Sequence, residues 1–177
     1  MSRAFLPLLF CVLVSVLFSG CGYAIKPDNL QNASLHFAVG EKLPDANSAF
    51  FLLGQAATIL KLDKDLRLLI VGHTDATGTP EANQTLAFDR ANSVKGFMVQ
   101  LVPEVERQVR IAFYGADRPI YDNNTPEGRA GNRRVEFRFY RAGSDQKVEA
   151  ELQGLYGGKL VFGTQTTASV QVQVKAP

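Results

Sequence analysis

Residues 72–91, GHTDATGTPEANQTLAFDRA, concentrate the groups in this chain that are suited to holding a charged ligand. An apolar run ends at Gly72, and Asp75 follows in what reads as a loop past a strand end, where binding groups gather on open α/β folds. Thr79-Pro80-Glu81 then opens a helix: Thr as the cap, Pro at the first helical position and an acid in the first turn. Asn83 and Arg90 sit seven residues apart on that helix, so two turns bring them onto nearly one line, beside or facing away from the apolar stripe. Asp75 and Arg90 are fifteen residues apart and cannot pair as helix neighbours. If the helix folds back over the strand end, Asp75, Asn83 and Arg90 border one pocket. A carboxylate accepts from an ammonium, and a guanidinium forks onto a carboxylate. The guest that suits such a pocket is a zwitterion, such as an amino-acid head group.

Other chemistry in the same stretch is weaker. His73 next to Asp75 suggests a catalytic or metal pair, but His36 is the one other histidine and no Ser or Cys nucleophile is positioned for it. His73 is therefore read as a loop-packing residue. Asp75, Glu81 and Asp89 as a hydrolase pair give way to scattered solvated charges. Of Arg129, Arg133 and Arg134, Arg133 is placed near the site rim and the others with acids or the last helix and strand. No metal site and no cofactor is expected.

The elements that must position these groups alternate. Residues 34–39 read as a strand. Residues 46–62 read as a helix whose face is Phe50, Leu53, Ala57 and Leu60, and 66–71 as a buried strand. The helix from Thr79 carries the stripe Ala87, Ala91, Val94, Met98 and Leu101; residues 109–113 form a third strand. Thr125-Pro126-Glu127 starts a short helix that Gly131 ends, and 133–140 alternate as a half-exposed strand. Strands interleaved with helices predict an α/β fold with helices packed on a mixed sheet.

The 177 residues suffice for one domain with appendages, and a net charge of +2 (+1 once Arg3 is removed with a leader) gives no electrostatic case for nucleic acid. Residues 1–20 pair Arg3 with an apolar core from Ala4 to Phe18 and read as an export signal; Ser19-Gly20-Cys21-Gly22 breaks the run short of a membrane span. The cysteines are Cys11 and Cys21, so a mature chain cut before Cys21 has no internal disulfide. Leu17-Phe18-Ser19-Gly20-Cys21 resembles a bacterial lipoprotein signal, which implies acylation of Cys21, and Gly22 after it implies sorting to the outer membrane. Residues 21–33 are then the lipidated cysteine and a short tether.

The ordered set GHTD-x-x-G, Asn83, Leu86, Arg90-Ala91, Asn124-x-x-x-Gly128-Arg129 and Asn132-Arg133-Arg134-Val135-Glu136 resembles the OmpA C-terminal-like domain, the peptidoglycan-binding module also found in peptidoglycan-associated lipoproteins. The match spans about residues 35 to 140. The resemblance implies an OmpA-like two-layer sandwich of βαβαβ type over residues 34–141, facing the periplasm. It implies that Asp75 and Arg90 clamp the zwitterionic end of meso-diaminopimelate in the peptidoglycan stem peptide, with Asn83, Thr77, Leu86 and Arg133 completing the ligand-binding set. The chain departs from the family at Ala87, where a Ser is usual, at Phe37-Ala38-Val39-Gly40, and at Phe113, where Gly is common. Residues 142–177 lie outside the resemblance. They read either as a β-rich extension, with Lys159 to Phe162 and the alternating 169–174 as the strands of a β-hairpin added to the sheet or to a partner, or as a half-ordered extension.

The function expected is non-enzymatic: an outer-membrane lipoprotein tying membrane to wall. Two other classes remain open here, an accessory of an envelope or secretion complex acting through a protein partner, and a wall-modifying enzyme. A porin barrel is excluded by the lack of many alternating strands.

Overall fold

Leu66–Gly72 forms a strand because β-branched and leucine side chains fill both of its faces, and it organises the rest (β2). The structure, a computed structural model, describes residues 27–144 and 146–148. The export signal of residues 1–20, Cys21, the first part of the tether and the extension beyond residue 148 lie outside the described residues. In chain order the elements are α1 (Pro27–Leu30), β1 (Ser34–His36), α2 (Ala46–Leu62), β2, α3 (Pro80–Leu101), a 3-10 turn (Pro103–Gln108), β3 (Val109–Phe113), α4 (Pro126–Asn132) and β4 (Arg134–Arg141). The sheet order is β1-β4-β2-β3, with β2 and β3 parallel and β4 antiparallel to both β1 and β2. This is the α/β arrangement of helices on a mixed sheet that the alternating pattern predicts.

One face of the sheet packs on α2 and α3. Leu68, Ile70, Ile111, Val135 and Phe137 meet Leu53, Ala57 and Leu60 of α2 and Ala91, Val94 and Met98 of α3. Full burial of each large side chain is worth about 1.5–3 kcal/mol, so this layer is the main source of stability. Buried Gln108 fastens its lower edge: its Nε2 lies 2.8–3.0 Å from the carbonyls of Leu60, Asp63 and Leu66.

Several expectations change. Phe50 is 68% exposed, because the buried face of α2 is centred on Ala49, Leu53, Ala56 and Leu60, at spacings of 4, 3 and 4. Leu101, expected in the α3 stripe, is largely exposed where the helix runs out before Pro103. The last strand alternates as expected, with Val135 and Phe137 buried and Glu136 and Arg138 partly exposed, but it lies inside the sheet, between β1 and β2. The second half of the expected tether is part of the fold: Leu30 is buried in the core, the Asn32 amide donates to Phe137 O, and the Phe137 amide donates to Ala33 O. Gln31 Oε1 adds a bond by accepting from the Phe139 amide at 2.8 Å.

Candidate functional site

The C-terminal end of β2 is where the candidate residues gather, and Gly72 allows it. A Cβ on Gly72 would stand 2.0 Å from the Ala87 carbonyl oxygen, so only glycine lets α3 lie this close over the strand end. The helix is set in place by its cap: Thr79 accepts from the Ala82 amide at 3.2 Å, with Pro80 in the first turn. Its buried residues are Asn83, Ala87, Arg90, Ala91, Val94 and Met98, a single stripe that takes in both polar candidates. Asn83 and Arg90 therefore face inward, not away from the apolar stripe as the spacing had allowed.

Arg90 is fully buried. Its Nη1 donates to His73 O at 3.0 Å, its Nε to Glu41 O at 2.9 Å and its Nη2 to Ala38 O at 3.2 Å. The guanidinium carbon lies 4.9 Å from the centroid of the Phe37 ring. Burial pushes the Arg90 pKa down to about 10, opposed by the nearby Asp75 carboxylate, so the group remains charged at neutral pH. Among the described residues three of its five N–H donors are used, which leaves one on each terminal nitrogen to meet an acceptor.

Asp75 is directly paired with Arg133. The Arg133 Nη1 donates to Asp75 Oδ2 at 2.9 Å and its Nε donates to Phe37 O at 3.0 Å. Asp75 Oδ1 accepts from the Thr77 amide at 3.0 Å, closing a loop turn around the carboxylate. Burial works to raise the Asp75 pKa, but the bonds from Arg133 and Thr77 and the Arg133 charge outweigh it and hold the carboxyl below its usual range. Arg90 and Asp75 are thus near enough for the carboxylate's charge to act on the guanidinium, but among the described residues no hydrogen bond or ion pair joins them. Arg133, the more exposed of the two cations, is the one that touches the carboxylate.

Of the remaining candidates, Thr77 belongs to this cluster through its backbone. Asn83 is buried over Gly115, and Leu86 is half-buried one turn further along α3. Among the described residues no hydrogen bond joins either of them to Asp75. Gly115, at φ +56, closes the floor: its carbonyl accepts from the Thr74 amide at 2.8 Å, and Gln84 Nε2 donates to the adjacent Tyr114 carbonyl at 3.1 Å.

A residue that carries the neighbouring loop has no assigned role in the sequence reading. Asn132 is fully buried; its Oδ1 accepts from the amides of Ile120 and Tyr121, and its Nδ2 donates to Tyr121 O and Asn123 Oδ1. Asn123 Oδ1 also accepts from the Ala76 amide at 3.2 Å, so Asn132 ties the 120–123 loop to the Asp75 loop. The signal was visible in the Asn-Arg-Arg run, but its contacts depend on a loop eleven residues upstream.

His73 packs beneath the site, consistent with a loop-packing role. Burial first, then the charges of Arg134 and Arg138, push its pKa down to about 3 against the pull of Glu136, so the ring is neutral. Arg134 leaves Arg133 to the site and turns to the other face of the sheet, where its Nε donates to Glu136 Oε1 at 2.7 Å and Arg138 joins the same carboxylate at 3.1 Å. Among the described residues there is no cluster of three or more metal-ligating side chains, and no helix is long and apolar enough to cross a membrane.

The OmpA family model matches residues 40–133, over half of the chain. Outer membrane porin F of Pseudomonas aeruginosa is 46% identical over 67 residues, 38% of this chain and 19% of that protein. A peptidoglycan-associated lipoprotein of Legionella pneumophila is 36% identical over 81 residues, 46% of each chain. The chain thus covers less than half the length of these curated relatives. The crystal structure of the peptidoglycan-associated lipoprotein from Burkholderia pseudomallei superposes with a TM-score of 0.57 at 27% identity, covering 60% of this chain and 89% of that one. Both the fold and the matched residues lead to one conclusion: the chain belongs to the OmpA family.

Proposed function

We propose that the domain binds peptidoglycan non-covalently through the zwitterionic end of diaminopimelate in the stem peptide. Cys21, acylated, would hold it to the outer membrane, so that it ties membrane to wall from the periplasmic side. The observation that carries the reading is that Asp75, paired with Arg133, lies past the end of β2 near Arg90, whose guanidinium holds the His73 carbonyl and feels the Asp75 charge. Asp75 accepts from the ligand ammonium. Arg90 forks onto the carboxylate with its two remaining N–H donors, and Arg133 stands at the accessible edge. The relatives' names, an outer-membrane porin and a peptidoglycan-associated lipoprotein, support a wall-binding rather than a catalytic role.

Arg90 is covered, and two of the three carbonyls that cover it, Ala38 and Glu41, belong to an exposed segment containing Val39 and Gly40 at φ +72. Ligand entry displaces that segment and so opens the two remaining N–H donors to the incoming carboxylate. Each charge-assisted hydrogen bond contributes roughly 1.5–3 kcal/mol net, which makes one stem a modest ligand and leaves avidity on a repetitive polymer to supply retention.

The test is co-sedimentation with purified sacculi. Arg90→Ala is a poor probe, because it leaves the buried His73 carbonyl without its donor and opens a cavity, so the fold suffers together with the site. Asp75→Asn removes the charge at similar shape, and Arg90→Lys keeps a charge but loses the fork. Both variants are expected to stay folded by circular dichroism and to lose sedimentation with the wall. Parent-like sedimentation of both overturns the clamp.

A further inference from the structure

The chain enters the fold at the end of the sheet opposite the candidate site. Pro27, Asp28 and Gln31 line a recess with Leu66, Phe139, Tyr140 and Arg141, at the start of β2 and the end of β4. The bonds from Phe139 N to Gln31 Oε1 and from Ala142 N to Asp65 O fix that end. Asp75 lies beyond the other end of β2, whose seven residues span about 20 Å at a strand's rise of roughly 3.3 Å per residue.

From these positions we infer that the domain is mounted with its Leu62–Leu66 end against the lipid headgroups and its Asp75 end turned away toward the wall. The inference rests on the reading of Cys21 as acylated. Five residues separate Cys21 from Pro27, so the leash reaches at most about 20 Å. Inverting the domain would lift Pro27 from the bilayer by at least the length of β2, about 20 Å, which takes up the whole reach of those five residues. The surface at the lower end suits the partner. Leu62 is 81% exposed and stands among Lys61, Lys64, Arg67 and Arg141, side chains whose aliphatic stems lie along an interface while their charges reach headgroup phosphates. Asp63 pairs with Arg141, Glu104 lies 3.8 Å from Lys61, and Asp28 and Asp65 are exposed at the same end, so acids balance the cations there and the leash sets the orientation. Asp75 is thereby held within about 40 Å of the bilayer surface, the sum of leash and strand.

The experiment uses the full acylated chain in phosphatidylethanolamine–phosphatidylglycerol vesicles that carry a nitroxide on the headgroup. With the leader removed and Cys21 blocked by acyl chains, a thiol introduced by Leu62→Cys or, on α4 near the site, by Ala130→Cys is unique and takes a fluorophore. Strong quenching is expected at position 62 and none at 130. Inserting a flexible Gly/Ser linker of about twenty residues before Pro27 should abolish the difference. Equal quenching at both positions, or stronger quenching at 130, in protein that floats with the vesicles overturns the orientation. If mass spectrometry finds no acyl chains on Cys21, the anchoring reading itself fails and this inference with it, an outcome distinguishable from the first.

Discussion

Acid should weaken the domain through His73 well before any carboxylate is protonated. A free histidine titrates near 6.5, whereas burial and the Arg134 and Arg138 charges hold the buried ring's pKa near 3. The folded pKa is depressed below the unfolded value. The unfolded chain therefore binds a proton that the folded one refuses, and stability is complete above pH 6.5 and falls as pH drops from there toward 3. At pH 5 the unfolded ring is almost wholly protonated and the folded ring almost wholly neutral. The loss is then about one and a half pH units at 1.36 kcal/mol each, roughly 2 kcal/mol relative to pH 8. Asp75 and Glu136, whose pKa values are lowered, add their own losses only below about pH 4.5, so the window from 6.5 to 5 isolates the histidine. Urea unfolding of the domain at pH 8, 6.5 and 5 measures it directly. His73→Phe is the control, since neither ring nitrogen has a hydrogen-bond partner to lose and the ring already lies 5.7 Å from Tyr114. The reasoning is refuted if the parent loses less than about 0.5 kcal/mol between pH 8 and 5, or if the Phe variant loses as much as the parent.

Three further outcomes follow from the same contacts. Gly72→Ala drives a Cβ against the Ala87 carbonyl and should cost at least about 2 kcal/mol, seen as a lower thermal midpoint with sacculus binding weakened in step as α3 shifts. Asn132→Leu removes four hydrogen bonds and should cost roughly 2–3 kcal/mol, with faster hydrogen exchange at the amides of Ile120, Tyr121 and Ala76, and unchanged exchange in the β2 core. Sacculus binding should hold steady from pH 7 to 5 and disappear only in stronger acid, below the ordinary carboxylate range, where Asp75 takes up a proton, its lowered pKa placing the loss on the acid side; a midpoint near pH 6 in sedimentation would implicate another group.

Much of the fold was legible because local rules decide it. The helix of residues 46–62, the Thr79-Pro80 and Thr125-Pro126 starts and the β2 and β3 strands all follow from periodicity and capping over short spans. The 3-10 turn at Pro103–Gln108 and the helical turn at Pro27–Leu30 carry no repeating pattern that a sequence reading can use, and Leu30 is buried only because α2 and β4 are there to cover it. Phe50 was misplaced for a related reason, since a helix of alanines and leucines offers several apolar faces and only the sheet selects one.

At the site the same division holds. The residue types at 75, 83, 90 and 133, their spacing and the order of the motifs are properties of the chain, and the proposed binding chemistry follows from them. The pairing was decided in three dimensions. Arg90 was legible as a cation on the α3 helix, yet its burial under Phe37, Ala38 and Glu41 depends on a segment about fifty residues earlier. Asp75 meets Arg133 across fifty-eight residues, because antiparallel β4 delivers its first residues to the end of β2. Sequence fixes which charges a chain owns and how nearby ones line up along a helix or strand; which distant charges meet, and how much water they keep, is set only when the sheet closes and the helices cover it.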